Sequence, residues 1–445
     1  MPGDKSIAHR ALLFNAMGEG EAAVLVRHPG ADVRSTVGAL RTLGALTAAT
    51  SEEVGLIRFR VRGGGTARTA ILPGTGGEQL DCGNSGTSMR LLAGALAGRA
   101  AGVELGGDES LSRRPMERVA GPLRAMGADI ITTDGHSPLR ITGRRPLRAL
   151  EHVLPVASAQ VLGAVSLAAL AADGRTVVET PGPTRDHTER LLGWLGAPIA
   201  RDGLRTTIDG PAGFRARSLD VPGDISSAAF WLAAAALHPD AELRIRDVGL
   251  NPSRLAVIDV LLEMGAGIEV EAGAPTGPEP VGDLLVRGGR PLHGIHLTGP
   301  RVAELIDELP LLAVVMAAAD GPSELRDAAE LRVKESDRIS LVVAGLRAIG
   351  ADADELPDGW TVSRGHPRHA DIVTAGDHRI AMAFAIAAVT GVATSVSIDD
   401  PACADVSYPG FWDDLASVSD AGVVRFTADP GVTSASAVRF AAADR

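Results

Sequence analysis

The feature that most limits the folds open to this chain is an internal repeat. Leu40-Arg41-Thr42-Leu43-Gly44-Ala45 returns, with variation, at 123–128, 192–197, 262–266 and 346–351, and in degenerate form at 415–423. The glycines of these copies lie 83, 69, 69, 85 and 72 residues apart. Each glycine closes an amphipathic pattern and precedes a short apolar run, so each is read as a helix C-cap leading into a strand. A second element keeps the same period. It is an Ala-rich segment, apolar nearly all round, that starts near Ser6, Ser85, Ser158, Ser226, Glu308 and His378. Helices without a polar face belong inside a domain. Six units of about 70 residues are too long for a TPR or propeller array. The expectation is an α/β protein of two domains with three units each, 1–222 and 223–427, divided near Val221-Pro222-Gly223-Asp224. The small, polar residues 428–445 read as a loose tail.

Charge narrows the function. The chain has 445 residues and a net charge of −12, against general binding to nucleic acid or anionic membranes. Its two cysteines, Cys82 and Cys403, form neither a disulfide framework nor a metal-site spacing. Met1-Pro2-Gly3-Asp4-Lys5 is not a signal peptide. The uncharged stretches 153–172 and 380–398 are interrupted by polar residues, Gly or Pro, and read as buried helices and their flanks. A soluble cytoplasmic protein is expected. Of 43 basic residues only Lys5 and Lys334 are lysine, and Gln79 and Gln160 are the only glutamines. If a coding bias turns lysine into arginine wherever either serves, the survivors mark places that need a compact ammonium; chance survival is the alternative.

The unusual segments cluster where the apolar helices begin, and unpaired N–H groups and the helix dipole favour anions there. Pro2–Arg10 opens the first with Lys5, Ser6 and Arg10. Gly83-Asn84-Ser85-Gly86-Thr87-Ser88-Met89-Arg90 opens the second, where Gly86 permits close approach of a ligand. Ser158-Ala159-Gln160 opens the third. Any one alone is an ordinary N-cap; three together suggest an anion site. Asp108–Pro115 sets Arg113 and Arg114 before a proline in an expected loop. Within 331–338, five charges fall in the seven positions from Arg332 to Arg338, with Lys334 and Arg338 on one face if helical. The plain reading of that run is a solvated, salt-bridged face. Asp307 and Glu308 precede the fifth helix, where a carboxylate also suits the dipole, and Gly376-Asp377-His378-Arg379 opens the sixth.

Nine motifs stand in one order: P-G-D-K-S-I-x-H-R, G-N-S-G-T-S-M-R, L-S-x-R-P-M, S-A-Q, T-R-D-H-T-E, V-P-G-D-I-S-S-A, I-D-E-L-P, L-R-V-K-E-S-D-R and G-D-H-R-I-A-M. In these the chain resembles the 5-enolpyruvylshikimate-3-phosphate (EPSP) synthase family, from Pro2 to about Phe426. The resemblance implies two domains of three βαβαββ units with the active site in the interdomain cleft, opening and closing around substrate. It implies transfer of the enolpyruvyl group of phosphoenolpyruvate to the 5-hydroxyl of shikimate 3-phosphate, in the shikimate pathway to the aromatic amino acids. The implied shikimate 3-phosphate ligands are Lys5, Ser6, Arg10, Ser158, Ala159, Gln160, Arg185, Asp307 and Lys334. Those for phosphoenolpyruvate are Lys5, Gly86, Arg114, Gln160, Glu335, Arg338 and Arg379. Asp307 would take the hydroxyl proton and Glu335 or Lys334 would protonate C3, with Lys5 as a point charge between the substrates. No metal or organic cofactor is required, since phosphate is a good leaving group, and a monomer is the family habit.

The chain also departs from the pattern. Family members carry an N-terminal strand before the first motif, so either the start lies further upstream or one domain lacks an edge strand. Ala8, Ala159 and Val406 resemble a glyphosate-tolerant branch, Gly86 resembles the sensitive one, and Leu91 stands where proline is common. The mixture implies intermediate sensitivity. The related UDP-N-acetylglucosamine enolpyruvyl transferase uses a cysteine in the loop matching 108–115, and this chain has none there. Cys82 reads as a small buried strand residue. An enolpyruvyl transferase with a modified shikimate-like acceptor and a non-catalytic anion-binding paralogue remain the alternatives.

Overall fold

In the computed structural model six buried helices recur at the expected places. They are α1 (Lys5–Met17), α2 (Gly86–Ala97), α3 (Ala159–Ala169), α4 (Ile225–Leu237), α5 (Leu309–Ala318) and α6 (His378–Val389). The structure describes residues 1–274 and 277–419, and the backbone of two strands at 424–427 and 437–441. Burial runs right round these helices: in α5 every residue from Leu309 to Ala317 is buried. Six outer helices alternate with them, at Ala31–Thr42, Glu117–Ala125, His187–Leu195, Ala256–Glu263, Arg338–Ala348 and Phe411–Val418. These bury one stripe only, as with Val119, Ala120, Pro122 and Leu123 of the second. The repeat glycines Gly44, Gly127, Gly196, Gly265 and Gly350 all adopt positive φ, between 74° and 107°, and strands follow them. Gly422 of the sixth copy lies outside the described residues.

One repeat shows the wiring of the rest. Strand Glu78–Asp81 runs parallel to Gly102–Gly106, on the far side of α2 in sequence. Gly102–Gly106 is antiparallel to His136–Thr142, which pairs in turn with Asp129–Thr133. The order strand, buried helix, strand, outer helix, strand, strand is the βαβαββ unit. Burial alternates along such strands: in Glu21–Arg27, Ala22, Val24 and Val26 face inward. In the first repeat the parallel partner comes from much later in the chain, as Val24 and Leu25 pair with Leu219 and Asp220. The sheet of Glu242–Gly249, Gly267–Ala272 and Val281–Arg287 has three strands among the described residues.

The chain divides into two compact units. One comprises Pro2–Pro222 together with 277–279; the other comprises Met1, Gly223–Ala274 and the described residues from Pro280 onward. Each has its own continuous apolar core. Small residues let the buried helices approach closely. A Cβ on Gly94 of α2 would sit 2.1 Å from the Ala164 carbonyl oxygen of α3, so only glycine fits that crossing. The tail expectation needs correction: Ala437–Ala441 is a strand, antiparallel to Ser395–Ile398. Local preference and the offered edge agree there, since Val438 and Phe440 are strand formers at alternate positions. The tail residues 428–436 and 442–445 lie outside the described residues. Among the described residues no helix is long and apolar enough to cross a membrane.

Candidate active site

In the first unit the starts of α1, α2 and α3 carry the expected groups. Asp4 caps α1, Ser85 caps α2 and Ser158 caps α3, each accepting from a backbone N–H three residues on. Ser85 and Ser158 therefore do have the ordinary capping role. Lys5 Nζ donates to Asp32 Oδ2 at 2.8 Å. Gln160 donates through Nε2 to Thr87 Oγ1 at 2.9 Å, and its Oε1 accepts from Arg90 Nη1. A Cβ placed on Gly86 would lie 3.0 Å from Arg90 Nη1 and 3.4 Å from Arg114 Nη1. Two guanidinium groups thus flank the bare backbone at the start of α2. Segment 108–115, expected as loop, is not wholly so: Asp108 accepts from Leu111 N and starts a one-turn helix, Glu109–Ser112. That turn separates the arginine pair. Arg113 forms an exposed i,i+4 pair with Glu109, while Arg114 is half-buried beside Ser110.

Arg10 is more enclosed than its position in the first motif suggested. It is 2% exposed and donates to Thr188 Oγ1 at 2.8 Å, Ser6 O at 3.1 Å and Ala159 O at 3.4 Å. Burial lowers its pKa to about 10, with Glu189, Asp4 and Glu279 opposing that fall. The half-buried Arg185 lies close enough to repel it. Arg10 therefore pins the starts of α1 and α3 to the helix carrying Thr188. Nearby, burial drives His9 down to about 3, so this ring is neutral where it meets Thr36 Oγ1 at 2.7 Å.

In the second unit one guanidinium organises the acidic groups. Arg338, 1% exposed, donates through Nε to Asp377 Oδ2 at 2.8 Å and through Nη2 to Glu335 Oε2 at 2.7 Å. Its Nη1 is 3.8 Å from Asp307 Oδ1 and has no hydrogen-bond partner among the described residues. Burial opposes the charge on Arg338, but Asp377, Glu335 and Asp307 outweigh it and raise the pKa. Burial likewise opposes ionisation of Asp377, yet Arg338 and His378 hold its pKa below the usual carboxylate range. Asp377 also caps α6, accepting from Arg379 N at 2.9 Å, and accepts from Ser336 Oγ at 2.9 Å. Arg379 Nη1 stands 3.8 Å from the buried Glu308. Lys334 and Arg338 do not share a helical face. A 3₁₀ turn, Ala329–Val333, stops before Lys334, whose ψ is −146°, and the next helix begins at Arg338 under the Asp337 cap. Lys334 Nζ meets Glu330 at 3.4 Å.

Comparison with known proteins gives the arrangement its family. The model described as EPSP synthase (3-phosphoshikimate 1-carboxyvinyltransferase) matches residues 1–415. The chain belongs to the EPSP synthase family. A 3-phosphoshikimate 1-carboxyvinyltransferase of Salinibacter ruber is 47% identical over 423 residues, covering 94% of this chain and 96% of that protein. One from Gloeobacter violaceus is also 47% identical, over 420 residues, covering 94% and 95% of the two chains. The solved EPSP synthase of Acinetobacter baumannii matches with a TM-score of 0.80 at 38% identity, over 94% of both chains.

Against the family pattern, the first unit gathers Gly86, Arg114 and Gln160 around the start of α2, and sets Arg10 against Ser6 and Ala159. The second gathers Asp307, Glu335 and Arg338, with Arg379 reached through Asp377 and Glu308. The sequence reading missed Asp32, Arg90, Thr188, Glu308 and Asp377 as partners of these groups. Arg90 had a usable signal: it is the one charge in an otherwise uncharged buried helix, one turn after Gly86. Both cysteines are buried and unpaired, and burial pushes each thiol up to about 12.

Proposed function

We propose that the two clusters serve one reaction, with roles divided as the family pattern suggests. The chain is an enolpyruvyl transferase of the shikimate pathway. Asp307 takes the proton from the 5-hydroxyl of shikimate 3-phosphate as that oxygen attacks C2 of phosphoenolpyruvate. Glu335, or the adjacent Lys334, delivers a proton to C3, giving a tetrahedral adduct. Loss of a C3 proton then re-forms the double bond as the C2–O bond to phosphate breaks. Lys5, Ser6, Arg10, Ser158, Ala159, Gln160 and Arg185 hold shikimate 3-phosphate with Asp307 and Lys334. Gly86, Arg114, Arg338 and Arg379 hold phosphoenolpyruvate with Lys5, Gln160 and Glu335. Forked guanidinium groups suit carboxylate and phosphate oxygens. Arg10 acts mainly through what it pins, because its donors face Thr188 and two backbone oxygens.

The observation that carries this reading is the suspension of Asp307 and Glu335 on Arg338. Both carboxylates stay about one-quarter exposed while the cation behind them is buried. A proton acceptor and a proton donor are thereby held open to a ligand, beside an Arg338 Nη1 that stands 3.8 Å from Asp307 and has no hydrogen-bond partner among the described residues. The resemblance favours a cytoplasmic monomer, and sedimentation of the purified protein tests the second point. The activity test is phosphate release from phosphoenolpyruvate with shikimate 3-phosphate as acceptor. Turnover with this acceptor is expected. Saturable binding of both anions with no phosphate released would overturn the reading in favour of a silent paralogue, and release with only a modified acceptor would reassign the substrate.

A further inference from the structure

Glu308 has no part in the proton transfers, yet it sits at the centre of a buried charge network in the second unit. Its Oε1 accepts from Ser226 Oγ on α4 and lies 3.8 Å from both Arg254 Nη2 and Arg379 Nη1. Arg254 Nη2 donates to the same Ser226 hydroxyl at 2.5 Å and stands 3.7 Å from Asp224 Oδ1, the cap of α4. The four charged side chains are 4–11% exposed, and two arginines balance two carboxylates. Arg379 meets Glu308 by charge and not by a hydrogen bond, so the contact orients the guanidinium without occupying its donors. Glu308 also follows Asp307 by one peptide bond.

We propose that Glu308 is a positioning residue for phosphoenolpyruvate: anchored by Ser226 and Arg254, it aims Arg379 at the anion. This rests on the reading of Arg379 as a phosphoenolpyruvate ligand. Misplacing a binding group by about 1 Å costs up to about a hundredfold, so loss of a charge contact of this kind is set at about tenfold. Glu308→Gln keeps size and the bond to Ser226 but removes the charge. Its KM for phosphoenolpyruvate is expected to rise about tenfold, with KM for shikimate 3-phosphate within about twofold. Glu308→Asp restores the charge and should recover most of the loss. Ser226→Ala keeps all four charges but frees the anchor, and covers the case in which Glu308→Gln does not fold; it should also raise KM for phosphoenolpyruvate selectively. An equal rise in both KM values, or no rise, in folded variants overturns the proposal. Arg379→Gln separates the two layers. If it raises KM for phosphoenolpyruvate and the Glu308 and Ser226 variants do not, only the positioning role falls. If it leaves that KM unchanged, the ligand assignment itself falls.

Discussion

Replacing Arg338 by lysine keeps the charge and removes the fork, and so isolates what geometry contributes to the second unit's site. The guanidinium makes hydrogen bonds of 2.8 and 3.3 Å to Asp377 and 2.7 Å to Glu335 from one rigid plane. A single ammonium on a flexible stem reaches one of these carboxylates well and leaves the other poorly compensated in a buried setting. Removing one partner of a buried ion pair outright costs about 3–5 kcal/mol, so with the charge retained the lower end, about 3 kcal/mol, applies. For a domain of this size that is a drop of roughly 6–12 °C in the unit's unfolding midpoint. Asp307 and Glu335 also lose their common tether, and displacement of either by about 1 Å should lower kcat about a hundredfold. Calorimetry and steady-state phosphate release read the two effects on one preparation. A variant that unfolds within about 2 °C of the parent and turns over within about twofold of it would show that the fork has neither role.

Other outcomes follow from single sites. Gly86→Ala places a methyl 3.0 Å from Arg90 Nη1 and 3.4 Å from Arg114 Nη1, atoms at the ends of flexible side chains. Its unfolding midpoint should hold while KM for phosphoenolpyruvate rises about tenfold, and a rise confined to shikimate 3-phosphate would contradict the assignment. Gly94→Ala instead drives a methyl to 2.1 Å from the Ala164 backbone, which cannot swing away. Overpacking of about 3 kcal/mol should lower that unit's midpoint by roughly 6–12 °C, and an unchanged melting curve would mean that α2 and α3 do not cross so closely. Burial opposes ionisation of Glu78, but Arg99 and the amides of Gly76 and Thr75 hold its pKa down to about 2. A depressed carboxylate stabilises the fold above its unfolded value near 4.5, and that stability drains away as pH falls toward 2. Glu78→Gln should therefore be less stable at neutral pH yet lose less between about pH 5 and pH 2. Parallel acid-unfolding curves for parent and variant would refute the linkage.

Much of the architecture was legible because its signals are local. A helix that is apolar all round announces burial within a dozen residues, and a glycine closing an amphipathic helix announces the left-handed cap that Gly44 and Gly350 adopt. The break between Lys334 and Arg338 was not legible. No proline or glycine marks it, and the run of charges fits one helix as well as a 3₁₀ turn followed by a new start. Nor could Arg10 be told from a plain surface ligand, since its strongest bond goes to Thr188, 178 positions away. The strand at Ala437–Ala441 was missed because the small, polar composition of 428–445 hid the short alternation Val438-Arg439-Phe440.

The linear order of residues was enough to place the six buried helices and the glycines that close the outer ones, and to count the cations available for two acidic substrates. The placements depend on spacing within a turn or two. Packing alone decided which carboxylate stands behind which cation: Asp32 behind Lys5, Asp377 behind Arg338, Glu308 behind Arg379. The reason is desolvation. A charge taken out of water must find an opposite charge or a hydrogen bond within a few ångströms, and which one it finds is fixed when the helices close around it.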